Sequence, residues 1–170
     1  MKHLNLFVLL LTIFCILGCR NANKNEVDVT LSLWGITVQG DSQDEVIRNL
    51  IEQTDEFDYY DDEKTGIKRL MFCGVPFGLT LKSEQTNGAT IITDITLITS
   101  HQSKADFEVI KRGISKRLGN PDIEDYESGT EEIVGRFYGS CAWNKDECNA
   151  TLRHLHGEEG GFVVLLTPKI

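Results

Sequence analysis

The sequence predicts an α+β fold in which two amphipathic helices pack on a mainly antiparallel β-sheet. Most segments have alternating or β-branched apolar residues, a pattern that is typical of strands. Two segments instead have apolar residues at helical spacing, and each follows a Ser-x-x-acid capping pattern. Because every helix stripe and sheet face must be buried, helices on one sheet face are the economical arrangement.

The first half of the chain predicts one strand, one helix and then four strands. Residues 27–36 alternate between apolar and polar side chains, which predicts a half-buried strand. Ser42 and Glu45 form a capping box, and the apolar stripe after them predicts a helix that ends near Thr54. The strands expected after this helix are 57–60, 67–73, 75–82 and 90–99, with a break at Gly74 and a tight turn at Asn87-Gly88.

The second half repeats this pattern. Ser103 and Asp106 have the shape of a second capping box, and a helical stripe runs from Phe107 to Leu118. Gly119 is expected to end the helix. A polar loop (122–132) should follow, and then strands at about 133–143, 148–155 and 161–167.

The chain is therefore predicted to contain two β-α-β-β-β pseudo-repeats, which are related by pattern and not by residue identity. The second pseudo-repeat begins with the strand at 90–99. The apolar residues on the inward faces of these elements form the predicted core. They are Leu33, Trp34, Ile47, Leu50, Leu70, Phe72, Ile95, Leu97, Phe107, Ile110, Leu118, Trp143, Leu152, Val164 and Leu166.

The N-terminus has the pattern of an export signal. An apolar run from Leu4 to Leu17 would extend over roughly 21 Å as a helix, which is short of the ~30 Å hydrocarbon core of a bilayer. The next residues, Gly18 and Cys19, complete the segment Ile16-Leu17-Gly18-Cys19, which resembles the lipobox of bacterial lipoproteins. The resemblance implies cleavage before Cys19, diacylglycerol on its sulfur and a membrane anchor formed by acyl chains.

On this basis, residues 1–18 form a lipoprotein signal peptide, 19–26 a flexible tether and 27–170 a single α+β domain. Loss of Lys2 with the signal peptide would take the net charge of the chain from −9 to −10. Such a charge argues against nucleic acid as a partner and against electrostatic docking to anionic lipid. In enteric bacteria, an Asp directly after the lipidated Cys resembles an inner-membrane retention signal. This chain has Arg20 at that position, so we expect the protein to be anchored in the outer membrane.

Three cysteines remain after Cys19. An exported chain reaches an oxidising compartment, where disulfides persist. If a turn is centred on Asn144-Lys145, then Cys141 and Cys148 lie directly opposite each other, and a bridge between them is one of two alternatives. Free thiols are the other alternative. Cys73 lies in an apolar strand and is expected to be a buried free thiol.

Few residues in the sequence point to chemistry. His154 and His156 are two apart on a predicted strand and would face the same side, so they are weak candidates for metal ligands. The acidic run 55–63 fails as a calcium loop because Phe72 stands where a bidentate Glu is required. Asp94 is a charge inside a strand and is expected on the solvent face. Because common catalytic motifs are also missing from the sequence, we expect neither an enzyme nor a cofactor.

Several short motifs together carry a looser resemblance. The segments "MFCGVPFGLTL", "KRLGNP" and "GGFVVLL" resemble those of small exported Bacteroidetes lipoproteins of unknown function. The predicted architecture is also similar at the fold level to β-lactamase-inhibitor-like domains and to outer-membrane assembly lipoproteins. This resemblance implies binding and not catalysis, and it identifies no functional residue.

Two functions follow as expectations. The first is a membrane-anchored envelope lipoprotein that is not catalytic and binds a macromolecular partner, such as an envelope protein, through its sheet face or loops. The alternative is a metal-binding or hydrolytic envelope protein that uses His154 and His156. The sequence does not determine the oligomeric state.

Overall fold

A computed structural model of the chain describes residues 28–62, 67–126, 139–155 and 160–169. These residues form two helices and ten strands, which are numbered separately in chain order. The helices are α1 (Gln43–Gln53) and α2 (Lys104–Leu118). The strands are β1 (Val29–Leu33), β2 (Ile36–Gly40), β3 (Phe57–Asp62), β4 (Ile67–Phe72), β5 (Val75–Thr86), β6 (Ala89–Thr99), β7 (Ile123–Tyr126), β8 (Gly139–Asn144), β9 (Cys148–His154) and β10 (Phe162–Pro168).

Eight of the strands form a continuous antiparallel sheet in the order β3-β4-β5-β6-β10-β9-β8-β7. The β1–β2 hairpin joins this sheet through β1, which pairs in parallel with β6 at Val29↔Thr90 and Thr30↔Ile91. The parallel contact is short, so the sheet is mostly antiparallel. The predicted α+β class is therefore confirmed.

Both predicted helices begin and end where their caps place them. Ser42 Oγ accepts the Glu45 N–H at 3.3 Å, while Glu45 Oε2 accepts the Asp41 N–H at 2.8 Å. Ser103 caps α2 in the same way, and the helix ends at Gly119, whose φ of 75° favours glycine. No helix among the described residues is long and apolar enough to cross a bilayer.

The core lies between the helices and one face of the sheet. The inward faces of both helices belong to a single cluster with the inward side chains of the strands. Phe107 of α2 contacts the ring of Phe162 on β10, and Trp34 contacts Phe57 and Phe72. Every residue of the predicted core is buried.

Two strands differ from the sequence-based prediction. The segment 27–36 is not one strand, because a turn at Trp34-Gly35, with φ of 55° and 75°, separates β1 from β2. Strand β7 lies within the predicted loop 122–132 and pairs with β8. The predicted strand 133–143 is described only from Gly139, since residues 127–138 lie outside the described part of the chain.

These two additional strands change the order of elements within each half. In the described residues, each helix is followed by four strands, whereas the β-α-β-β-β prediction omits β2 and β7. The two four-stranded segments meet at the β6–β10 pair in the middle of the sheet. The duplication thus stays a prediction, and its repeat unit would consist of one helix and the four strands that follow it.

Candidate binding face

The sheet has one face covered by the helices and one face that the helices leave uncovered, which we call the open face. Alternate residues of each strand point to it. The register Gly78↔Ile98↔Val163↔Arg153 runs across β5, β6, β10 and β9, and Arg69 on β4 lies one residue beyond the last β4–β5 pair, Leu70↔Phe77, on the side of Gly78. These five residues form a row across the middle of the open face.

The open face carries most of the exposed large hydrophobic side chains. Ile98 is 47% exposed and Leu165 is 39% exposed, although both lie in central strands. The described residues contain six exposed large hydrophobic side chains, and of these only Val109 lies on a helix. The strand register places the other five on the open face: Tyr60, Ile67, Ile98, Ile123 and Leu165. Exposed apolar residues are therefore concentrated on one side of the molecule.

Threonine side chains occupy the row next to Ile98. Thr80, Thr96 and Thr151 lie in register with Leu165 on four neighbouring strands. Threonine has a β-branched side chain that suits a strand and carries both a methyl and a hydroxyl group. This row offers a partner apolar contact and hydrogen bonds without a charge.

Asp94 lies on the open face, as the sequence predicted for a solvent-face carboxylate. Its Oδ1 accepts the Thr167 hydroxyl at 2.8 Å, and its Oδ2 lies 3.7 Å from Lys82 Nζ. Asp94 therefore has its hydrogen-bond and charge partners within the sheet.

A groove of about 340 Å³ opens near Gly78. Glycine leaves space between Arg69 and Ile98, which form two of its walls. Lys68 and His101 also line the groove, and His101 Nδ1 lies 3.1 Å from Asp106 Oδ2. The groove thus combines an aliphatic wall with cationic side chains.

The charge of the open face differs from that of the whole chain. On the five strands from β4 to β9 in sheet order, this face carries Arg69, Lys82, Arg153 and two carboxylates, Asp94 and Glu84. The net formal charge of these five strands on this face is therefore +1, whereas the chain has a net charge of −9. The outer strands β3 and β7 add outward carboxylates, so the excess of positive charge is confined to the centre of the face. Arg69 and Arg153 are exposed, and neither side chain forms a hydrogen bond or an ion pair with a described residue. Both guanidinium groups are available to a ligand.

The covered side of the sheet also contains polar side chains, which anchor α2. Arg117 donates two hydrogen bonds to Glu56 Oε2, at 2.9 Å and 2.7 Å, although the Glu56 side chain is buried. Lys111 donates to Glu124 and to the Tyr126 hydroxyl. These partners hold the pKa of Lys111 above its usual range, so it remains protonated. We assign both groups to helix packing.

The candidate metal ligand that the structure describes, His154, does not lie on a surface. His154 is buried, and its ring contacts Phe162 at a centroid distance of 6.0 Å. It therefore faces the core and not solvent. His156 lies outside the described residues, and these residues contain no group of three side chains that could hold a metal ion.

The predicted bridge between Cys141 and Cys148 does not form, and both thiols are free. Cys141 faces Leu152, while Asn144 faces Asn149, so the turn begins later than predicted. Cys148 then lies level with residue 145, four positions along β8 from Cys141, or about 13 Å. A disulfide joins Cα atoms roughly 4.4–6.8 Å apart. A hydrogen bond from the Asn144 N–H to Asp122 keeps Asn144 in the strand.

The remaining predicted features are divided between described and undescribed residues. Cys19, the signal peptide and the tether lie outside the described residues. Part of the acidic run 55–63 is described, and there Asp55 and Glu56 bind Lys116 and Arg117 instead of leaving their oxygens to a cation. Cys73 is free, as predicted, but it is half-buried and lies in the turn between β4 and β5 instead of in a strand.

Comparisons with known proteins identify no relative. No family model, no curated protein and no solved structure matches the chain. Any functional argument therefore depends on the residues of this chain alone.

Proposed function

We propose that this protein is a lipid-anchored envelope protein, not catalytic, whose open sheet face binds a macromolecular partner. The observation that carries the proposal is the concentration of exposed apolar side chains on that one face. Contiguous exposed apolar surface is typical of protein interaction sites. A helix-free sheet face gives a flat surface that suits a protein partner better than a small molecule.

The anchor in this proposal is supported by the sequence Ile16-Leu17-Gly18-Cys19. Acyl chains on Cys19 would hold the domain beside a membrane, with residues 19–26 as a tether. Such attachment leaves the open face free to meet another envelope component. We propose the outer membrane as the site of attachment.

The anchor is tested by mass spectrometry of the protein recovered from cell membranes. We expect an N-terminus at Cys19 with added acyl mass. Cys19→Ser should abolish the acyl mass and move the protein to the soluble fraction, whereas Cys15→Ser should change neither. A chain that keeps Met1 and carries no acyl group would contradict the anchor.

The binding face is tested by photo-crosslinking in intact cells. A photoreactive amino acid replaces Thr80 or Thr96 on the open face, and Arg112, which is exposed on α2, serves as the control. We expect the same covalent adduct from both threonine positions and none from Arg112. Adducts from Arg112 alone, or none from any position, would contradict this function.

A further inference from the structure

We infer that the open face recognises an acidic segment of a protein partner, held by Arg69 and Arg153 on either side of the apolar residues Ile98 and Val163. This inference deepens the proposed function and rests on it. It names the chemistry of the partner and the side chains that select it.

The charge distribution is the first argument. The chain is strongly acidic, yet the five central strands of the open face carry a net formal charge of +1, because Arg69, Lys82 and Arg153 outnumber Asp94 and Glu84. Lys82 is close to Asp94, so its charge is offset within the sheet. The charges of Arg69 and Arg153 are not offset by a described residue. An acidic partner would supply their missing counter-charges, whereas a basic partner would be repelled.

The geometry is the second argument. Arg69 on β4 and Arg153 on β9 are separated by four strand-to-strand steps. Paired strands lie about 4.8 Å apart, so four steps correspond to about 19 Å, with the step from Gly78 to Arg69 one residue beyond the last β4–β5 pair. An extended peptide that crosses the strands covers this distance with about six residues, at about 3.3 Å each. Two carboxylates separated by about this spacing could each form the paired hydrogen bonds that guanidinium groups favour.

The residues between the two arginines are the third argument. Gly78 leaves a depression beside Ile98, and Val163 lies next to Ile98 on β10. An aliphatic or aromatic side chain in the middle of the segment would fill this depression and bury Ile98. Glycans and phosphate polymers have no such group. An anionic bilayer would place its surface against the whole acidic domain, which it would repel.

The inference is tested with a displayed library of random twelve-residue peptides, selected on the purified full-length protein in mild detergent. Parallel selections use the double variant Arg69→Gln/Arg153→Gln and the control Arg48→Gln. Arg48 is an exposed arginine on α1, so the control removes a charge elsewhere. Recovered peptides are then synthesised with a fluorescent label, and their Kd values are measured by anisotropy at low and high salt.

We expect the enriched peptides to contain at least two Asp or Glu residues on either side of an apolar residue. Each of Arg69→Gln and Arg153→Gln should raise Kd about tenfold, which corresponds to one well-formed charged contact. Arg48→Gln should leave Kd unchanged. High salt should weaken binding because it screens exposed charges.

The selection would overturn the inference in three ways. The enriched peptides would be neutral or basic, or their Kd would not change in either arginine variant, or no peptide would be enriched. Binding to phosphatidylglycerol vesicles with the same dependence on the arginines would identify a lipid headgroup in place of a protein segment. In each case, crosslinks from Thr80 and Thr96 to a cellular partner would leave the proposed function standing, and their absence would reject both.

Discussion

The three described thiols are shielded from reaction by their surroundings. Burial raises the pKa of both Cys141 and Cys148 to about 11. Burial also raises the pKa of Cys73 to about 12, and the nearby Glu56 carboxylate adds to this shift. Because the thiolate is the reactive form, these side chains behave as small apolar groups in the folded protein.

We therefore predict that Cys73, Cys141 and Cys148 do not react with iodoacetamide at neutral pH while the protein is folded. All three should react after unfolding in urea without a reducing agent. Mass spectrometry of the digested protein counts the modified residues. A blocked Cys141–Cys148 pair in unfolded, non-reduced protein would contradict the register of β8 and β9.

Glu124 contributes stability that depends on pH. The hydrogen bond from Lys111 holds the pKa of Glu124 below its ordinary value of 4.5, and Tyr126 lowers it further. A carboxyl group whose pKa is lower in the folded protein stabilises the fold at pH values above its pKa in the unfolded chain. That contribution is lost as pH falls through the lowered folded pKa.

Glu124→Gln should therefore flatten the decrease of the free energy of unfolding below about pH 4.5, measured by urea titration at several pH values. The effect should be modest, because the side chain is about one-third exposed. Asp125→Asn, on the same strand and without an ion pair to a described residue, is the control for the loss of a carboxylate from β7. Equal curves for wild type and Glu124→Gln would show that the Lys111 contact is not formed in solution.

The helices were predictable from the sequence because local residues define them. Ser42 and Ser103 supply the capping oxygens at positions that the sequence alone identifies. The apolar stripes then determine which side of each helix is buried. Gly119 ends α2 because it can adopt a positive φ. None of these features depends on distant parts of the chain.

Strands β1, β2 and β7 could not be separated correctly from the sequence. Trp34 adopts a φ of 55°, which a bulky residue rarely does, and no propensity rule marks it as a turn residue. Its contacts with Phe57 and Phe72 come from distant parts of the chain. Strand β7 is short and mostly exposed, and its inward residues Glu124 and Tyr126 are polar partners of Lys111.

The close approach of α2 to the β4–β5 turn depends on one glycine. A Cβ atom at Gly113 would lie 2.0 Å from Cys73 Sγ, so a larger residue forces the helix and the turn apart. Within an unconstrained helix, Gly to Ala would instead add about 1 kcal/mol of stability. A decrease in the free energy of unfolding on Gly113→Ala would therefore indicate that this contact forms, and an increase would indicate that it does not.

We predict that Gly113→Ala lowers the free energy of unfolding by about 1–3 kcal/mol, the usual range for overpacking. Chemical denaturation of a double-mutant cycle with Cys73→Gly provides the measurement. Cys73→Gly removes the clashing sulfur and suits the φ of 53° at this position, so it should rescue Gly113→Ala. A stabilised Gly113→Ala variant, or a failure of rescue, would contradict this packing.

At the scale of the whole molecule, the two sides of the sheet carry different side chains. The covered side contains the core and the ion pairs that hold α2. The open side presents Ile98, Leu165 and three threonines, together with cationic groups that the acidic chain does not balance. We propose that the covered side provides stability and that the open side serves recognition.

The core was predictable from the sequence, but the open face was not. Alternation identified Ile95 and Leu97 as inward residues. It could not show that Ile98 and Leu165 stay exposed, because both faces of these central strands are rich in apolar and β-branched residues. Exposure follows from the covering of only one face by helices. Nor could it show that Arg69 and Arg153 lie in one row, since this requires the pairing of β6 with β10.

The most direct test of the binding face is carbene footprinting of Ile98 and Leu165 in the native envelope and in the purified protein. We predict strong labelling of both residues in the purified protein and clear protection in the envelope, where the partner covers them. Val109 on α2 is also exposed and should be labelled equally in both samples. Equal labelling of Ile98 and Leu165 in both samples, or protection of Val109 instead, would contradict a binding role for the open face.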